Sequence, residues 1–256
     1  VKFIRERVLS REFMAGAWCN LDSALTAEMA ARAGFDWVLF DQEHGPGDNE
    51  SLLRQIQAIE AWPAAPLVRI AWNEMPRFKR VLDLGAVGVM VPYVQNAAEA
   101  ARAVSFMSYP PTGVRGVASS PRAAGFGRDF ETYFKAANEH LLTITQVETG
   151  ETVKNIDEIA AVNGVDVLFV GPLDLSINLN KPRRFEDPEF MEVLGRVGRA
   201  AQNAGKAAGI LLPGPELIEP LHGLGFTFVA VGSDGGLVVA GMHRNVQALQ
   251  AFKAKC

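Results

Sequence analysis

Leu141-Leu142-Thr143-Ile144-Thr145-Gln146-Val147-Glu148 is followed, a short helix's length further on, by Val165-Asp166-Val167-Leu168-Phe169-Val170-Gly171-Pro172-Leu173-Asp174-Leu175. Each stretch holds a compact apolar run, too short for a helix and rich in β-branched residues, which reads as a buried strand of a parallel sheet. Each run leads into an acid: Glu148 directly, Asp174 after a Gly-Pro turn. In α/β folds the carboxyl ends of parallel strands face the site. Two carboxylates on neighbouring strand ends form a hard-oxygen site for a divalent cation. The Gly171-Pro172 turn opens a helix whose first N–H groups can receive a carboxylate or phosphate.

Outward from this pair, six further runs have the same character: Phe13 to Cys19, Trp37 to Phe40, Leu67 to Ile70, Val87 to Val91, Ala208 to Leu212 and Phe226 to Val231. Helical patterns alternate with them. Ser23 to Ala33 follows Asp22 and stops at Gly34; Pro76 to Leu84 opens on proline and stops at Gly85. Asn49 to Glu60, Ala97 to Met107, Thr152 to Ala161, Pro188 to Ala204, Pro215 to Leu224 and Gly236 to Lys253 complete the series. Strand and helix repeated eight times predict an α/β (β/α)₈ barrel occupying residues 1–256 as one domain, with a doubly wound open sheet as the alternative. One interval is irregular. From Tyr109 to His140 there is no strand, only Tyr-Pro-Pro, a Gly/Arg/Ser-rich stretch and a short helix around Phe130 to Asn138. An excursion of that length is usually functional or interfacial.

Composition sets the bounds. The 256 residues are 48% hydrophobic and carry a net charge of −4 with no basic run, so nucleic acid is not an expected partner. No apolar segment approaches the roughly 20 residues of a membrane span, and the charged N-terminal residues lack the apolar stretch of a signal peptide. The two cysteines, Cys19 and Cys256, have no metal-site spacing and pair only if the C-terminus folds back. The expected location is the cytoplasm.

Chemistry-bearing residues cluster after strands two, three, five and six. Strand two runs into Asp41-Gln42-Glu43-His44-Gly45-Pro46, strand three carries Arg69, strand five ends Gln146-Val147-Glu148, and strand six leads to Asp174. Each has an ordinary reading as well. Glu148 or Asp174 alone is equally a helix cap or an ion-pair partner; together, beside Gln146 and Gly-Pro, they favour metal binding. His44 is either an exposed loop residue or an imidazole oriented by Asp41 and Glu43. Arg69, inside an apolar strand, needs an anion to offset its burial, either a substrate group or Glu43. Asp83 reads as a surface acid, and Arg115-Gly-Val-Ala-Ser-Ser as a phosphate loop or a plain one. There is no His-Glu-x-x-His, Cys-x-x-Cys or Gly-x-Ser-x-Gly, and no Gly-x-Gly-x-x-Gly after the first strand. No lysine lies within or just after a strand, which disfavours Schiff-base chemistry; Lys206 precedes one.

The motifs Gly34-Phe35-Asp36-Trp37, Asp41-x-Glu43-His44-x-Pro46, Val68-Arg69, Tyr109-Pro110-Pro111-x-Gly113-x-Arg115-Gly116-Val117, Gln146-Val147-Glu148-Thr149, Val170-Gly171-Pro172-x-Asp174-Leu175 and Val229-Ala230-Val231-Gly232-Ser233-Asp234 together resemble the metal-dependent (class II) pyruvate aldolases of the 4-hydroxy-2-oxoheptanedioate and 2-dehydro-3-deoxyglucarate type. The resemblance runs the length of the chain in order. It implies a (β/α)₈ barrel in a homo-hexamer, a trimer of dimers, with the last helix exchanged between subunits. It implies Glu148 and Asp174 as ligands of Mg²⁺, Mn²⁺ or Co²⁺, and Arg69 facing the keto oxygen. His44 and Asp41 form a proton-handling pair, and Asp83 reaches the site of a neighbouring subunit, in place of the surface reading. Gln146, Gly171, Pro172, Leu173, Asp174, Trp18 and Leu211 would contact substrate. Gln42 and Gly45 depart from the pattern, and the excursion from Gly113 to Gly127, with Arg122 and Phe126, leaves the acceptor open.

The implied activity is reversible cleavage of a 4-hydroxy-2-oxo acid to pyruvate, or a related 2-oxo acid, and an aldehyde through an enolate. The base is either metal-activated water, with His44 relaying the proton, or His44 itself. Two alternatives compete: a citryl- or malyl-CoA-type lyase on a related barrel, and a silent barrel that binds a 2-oxo acid.

Overall fold

The computed structural model describes residues 2–255. Eight parallel strands close on themselves in sequence order: β1 (Met14–Cys19), β2 (Trp37–Asp41), β3 (Ala65–Arg69), β4 (Gly88–Val91), β5 (Leu142–Val147), β6 (Val167–Val170), β7 (Ala207–Leu212) and β8 (Phe226–Val231). The barrel expected from the eight apolar runs is therefore present, and the open sheet is not.

The register explains how a sequence with period two along each strand builds a site. Trp37 pairs with Ala65 and Asp41 with Arg69 across β2 and β3; Val147 pairs with Val170 across β5 and β6. One set of alternate residues forms the barrel interior: Met14 and Trp18, Trp37 and Leu39, Ala65 and Leu67, Leu142 and Ile144, Val167 and Phe169. The other set, including Val38, Phe40, Val68 and Leu168, packs beneath the helices. Continuing the inward set by one or two positions brings Asp41, Arg69, Gln146 and Glu148 to the carboxyl end of the barrel.

Large and small inward residues interlock. Trp37 is fully buried and stacks on Phe228 with centroids 4.2 Å apart. Gly16 leaves the space that the Trp37 indole occupies, and a Cβ at Gly209 would come within 2.5 Å of the Phe169 ring. Gly16→Ala drives a methyl into an indole that has no free side to retreat to. It is expected to destabilise the fold by about 1–3 kcal/mol, read as a lowered urea midpoint at unchanged slope.

Several elements differ from the sequence expectation. A short helix, Arg5–Leu9, precedes the barrel, and its Arg5 pairs with the buried Asp166 at 2.8 Å. The 152–161 helix is two pieces, Gly150–Lys154 and Ile156–Ala160, broken at Asn155. An extra helix, Pro172–Asn178, stands between β6 and the long Pro188–Asn203 helix. A single periodic pattern cannot show that the chain turns twice there. The 109–140 excursion has no strand, as expected; it holds a 3₁₀ turn, Arg122–Gly127, and the helix Phe130–His140.

Cys19 is a free, buried thiol, pushed up to about 12 by burial and the nearby charge of Asp234; its suggested partner Cys256 lies outside the described residues. Among the described residues no helix is long and apolar enough to cross a membrane. The last helix, Asp234–Lys253, buries none of its residues and exposes Leu237, Met242, Val246 and Leu249.

Candidate active site at the carboxyl ends of the strands

A cavity of about 520 Å³ opens at the carboxyl ends of the strands. Trp18, Asp41, His44, Arg69, Gln146, Glu148, Gly171, Pro172, Leu173, Asp174 and Leu211 all line it, together with Asn20, Phe169, Arg183 and Phe185. The residues singled out in the sequence, scattered over almost two hundred positions, thus share one wall-to-wall space, with Asp83 as the exception.

Arg69 is 7% exposed and Asp41 6%. Arg69 Nε donates to Asp41 Oδ1 at 2.9 Å and its Nη2 to Oδ2 at 2.5 Å, a bidentate pair. Nη1 lies 2.9 Å from Glu43 Oε2, an ion pair not aligned as a hydrogen bond. The anion that Arg69 requires is therefore chiefly Asp41, with Glu43 second. The guanidinium also lies over the Trp18 ring, 4.7 Å from its centroid, and the Trp18 indole N–H donates to Asp41 Oδ2 at 3.3 Å. Burial alone would raise the pKa of Asp41. The Arg69 hydrogen bonds and charge, and the backbone N–H groups of Glu43 and His44, outweigh it and hold Asp41 below the usual carboxylate value.

This geometry corrects the expected His44–Asp41 side-chain pair. Asp41 receives the backbone N–H of His44 at 3.2 Å. The imidazole is two-thirds exposed at the mouth, 3.9 Å from Glu43 Oε1. Both Asp41 oxygens are already committed to Arg69 and Trp18, so none is left to orient the ring.

Glu148 sits opposite, 6% exposed. Gln146 Nε2 donates to its Oε1 at 2.7 Å and the backbone N–H of Tyr93 to its Oε2 at 3.1 Å. Tyr93 joins the site through its backbone N–H, and its φ of 56° is a conformation invisible in a tyrosine's identity. Burial, reinforced by the charges of Glu43 and Asp174, pushes Glu148 up to about 7. A carboxylate so placed needs a proton or a cation. Gln146 Oε1 is buried without a donor, and a Cβ at Gly171 would come within 2.8 Å of Glu148 Oε1, so only glycine leaves this space. Asp174, in the first turn of the Pro172–Asn178 helix, adds a second, accessible carboxylate. Among the described residues no three His, Cys, Asp or Glu side chains form a closed metal cage. Two carboxylates facing an open cavity suit a hard cation that completes its shell with water and substrate oxygens. The residues present fit such an ion.

Asp83 is elsewhere. Its Oδ1 accepts from Arg115 Nη2 at 2.8 Å, and Arg115 is fully buried against Tyr109 and Tyr133. The Arg115 stretch thus anchors the excursion rather than offering a phosphate loop. Arg122 and Phe126 line a separate cavity of about 690 Å³ with Lys2 and Pro66, at the amino ends of the strands. Within one chain the excursion does not touch the candidate site.

The sequence carries the same message as the geometry. Residues 14–240 match the family model described as HpcH/HpaI aldolase/citrate lyase. The chain is 40% identical to the 4-hydroxy-2-oxo-heptane-1,7-dioate aldolase of Shigella sonnei (strain Ss046) over 236 residues, covering 92% of this chain and 88% of that protein. A HpcH/HpaI aldolase/citrate lyase family protein from Burkholderia cenocepacia J2315 superposes with a TM-score of 0.91 at 34% identity, covering 96% of this chain and 98% of that one. The HpcH/HpaI aldolase from Desulfitobacterium hafniense DCB-2 gives 0.90 at 26% identity, covering 97% and 96%. A closed eight-stranded barrel, an acid pair at its carboxyl end and this agreement along nearly the whole chain place the protein in the HpcH/HpaI aldolase/citrate lyase family, as a carbon–carbon lyase of the aldolase type.

Proposed function

We propose that the protein reversibly cleaves 4-hydroxy-2-oxo acids to pyruvate, or a related 2-oxo acid, and an aldehyde. The observation that carries this reading is Glu148, a buried carboxylate that burial pushes up to about 7, sharing a cavity with Asp174 and Arg69.

Glu148 and Asp174 would hold a divalent cation such as Mg²⁺, Mn²⁺ or Co²⁺, which supplies Lewis-acid polarisation of the C2 carbonyl of a 2-oxo acid. The N–H groups of Leu173 and Asp174, in the first turn after Gly171 and Pro172, have no acceptor within their helix and receive the substrate carboxylate. Gln146 fixes Glu148 and offers its unpaired Oε1 to the site. Arg69 donates two of its five N–H groups to Asp41 and forms an ion pair with Glu43; N–H groups not donated to Asp41 stabilise the enolate oxygen as charge develops there. In the cleavage direction the C4 hydroxyl loses its proton, the C3–C4 bond breaks, its electron pair becomes the enolate, and C3 is then protonated. His44, at the solvent mouth, carries the proton between cavity and water, and Asp41 holds Arg69 in register. Trp18 and Leu211 cover the reacting carbons with apolar surface.

The assembly we propose is a homo-hexamer, a trimer of dimers, in which the exposed apolar face of the Asp234–Lys253 helix is covered by exchange with a partner. Asp83 then serves a neighbouring subunit's site.

Stripping the protein with EDTA and adding back single metals tests the reading. Pyruvate release from a panel of 4-hydroxy-2-oxo acids is expected to fall at least a hundredfold on chelation and to return with Mg²⁺, Mn²⁺ or Co²⁺, since loss of electrostatic stabilisation in such sites costs factors of roughly 10² or more. Undiminished release by the chelated protein would sink it.

A further inference from the structure

The cavity of the candidate site adjoins a second space. Besides the acids, Leu211, Leu212, Pro213 and Phe185 give the cavity apolar lining, and Arg183 stands on the same lining. Arg183, Phe185 and Pro213 also line an adjoining groove of about 410 Å³, so Arg183 sits where the two spaces meet.

The loop carrying Arg183 is tied down. Its backbone N–H donates to the Oγ of the fully buried Ser176 at 3.2 Å, and that hydroxyl donates to the carbonyl of Leu173 at 2.8 Å. The N–H of Lys181 donates to Ser176 O at 2.7 Å. Arg183 thus hangs from the helix that carries Asp174, in a left-handed conformation with φ 59°, uncommon for a residue with a Cβ. Phe185 is packed against the buried Phe190, with centroids 6.1 Å apart.

The cations on either side are occupied. Lys181 pairs with Asp187 and Glu189 at 3.1 and 2.6 Å, and Arg184 with Asp187 at 2.7 Å. Arg69, the other guanidinium of the cavity, is committed to Asp41 and Glu43. Among the described residues the Arg183 side chain has neither an ion pair nor a hydrogen bond. An anion in this cavity therefore finds one unengaged guanidinium, set beside apolar lining. Guanidinium groups bind carboxylates and phosphates through parallel N–H donors.

The geometry points to Arg183 as a specificity-determining residue for the acceptor: it receives the anionic group of an aldehyde that carries a carboxylate or similar anion at the far end of a short apolar chain. This inference rests on the aldolase reading above. What it adds is a residue that reads the acceptor, a role that neither the strand-end motifs nor Arg69 fills.

The test is the ratio of kcat/KM for succinic semialdehyde to that for butanal, with pyruvate as donor. The two aldehydes have the same number of carbons, and one bears the carboxylate. The wild-type protein is expected to favour the anion, and Arg183→Ala to lower the ratio roughly tenfold or more, the usual weight of a charged hydrogen bond. Arg183→Lys should keep part of the ratio, and Arg184→Ala all of it. A ratio unchanged in Arg183→Ala, or lowered equally by Arg184→Ala, overturns the assignment. Deuterium exchange into the pyruvate methyl group of the wild-type protein separates the two levels. Exchange with an unchanged ratio defeats the Arg183 subsite alone. Absence of exchange defeats the enolate chemistry, and the acceptor subsite with it.

Discussion

Arg69→Ala is expected to lose roughly 10²- to 10³-fold in turnover and about 3–5 kcal/mol in stability. The first figure reflects removal of the N–H donors left for the enolate. The second comes from what remains behind. Asp41 is 6% exposed and would lose its bidentate partner, and Glu43 would lose its nearest cation. Breaking a buried pair by deleting one member strands the other charge. The pH dependence should change sign at this site. In the wild-type protein Asp41 is held below its ordinary value, so its contribution is present above the unfolded-state pKa and disappears as the pH falls through the folded one. Without Arg69 the desolvation of Asp41 is no longer outweighed by a buried cation, and acid should stabilise the variant. Arg69→Ala combined with Asp41→Asn should recover most of the stability and none of the turnover. Urea melts and pyruvate release on the three proteins check both halves. A single variant as stable as wild type would show that the pair contributes little.

Glu148→Gln should separate function from stability in the opposite direction. Glu148 moves from an ordinary 4.5 to about 7 in the folded protein. The folded state therefore binds the proton more tightly than the unfolded chain, and stability falls as the pH rises from 4.5 to 7 and stays low above that range. The accumulated cost is on the order of 3 kcal/mol. Glutamine removes the charge and keeps the shape. Its amide still accepts one of the two donors that Glu148 uses. Gln146, whose Oε1 lacks a donor, can turn its amide to accept the new N–H. At pH 8 without metal the variant is expected to be more stable than wild type by about 1–3 kcal/mol, with little difference at pH 4.5. Added divalent cation should stabilise the wild-type protein and leave the variant unmoved, and the variant's turnover should be lost. Thermal melts across this pH range, with EDTA and with Mn²⁺, provide the comparison. A metal-free variant melting below wild type at pH 8 would contradict the assignment of Glu148 as an under-neutralised site carboxylate.

The two variants show where sequence was sufficient and where it was not. That Glu148 and Asp174 would share a space follows from parallel strands pointing their carboxyl ends one way. That Arg69 would need an anion follows from a charge in an apolar run. Which anion does not follow. Glu43 and Asp41 are both near in sequence to the end of β2, and only the register pairing Asp41 with Arg69 decides it. The same choice leaves His44 at the mouth beside Glu43 and without the Asp41 carboxylate. Tyr93 entered the site through its backbone N–H, and Arg183 through a loop folded back on Ser176. Tyr93 does lie just past the end of β4, but a backbone donor leaves no mark in residue type, and Arg183 has no periodic or spacing signal.

The order of elements, the closure of the barrel and the end of it that carries chemistry were written in local pattern: period-two apolar runs, glycine and proline stops, and acids just past the strands. Those features act over a few residues and survive reading one stretch at a time. Partner choice among the charges, the raised proton affinity of Glu148 and the isolation of Arg183 came only with the folded chain. Each depends on distance and burial between residues far apart in sequence, and on which competing charge arrives first.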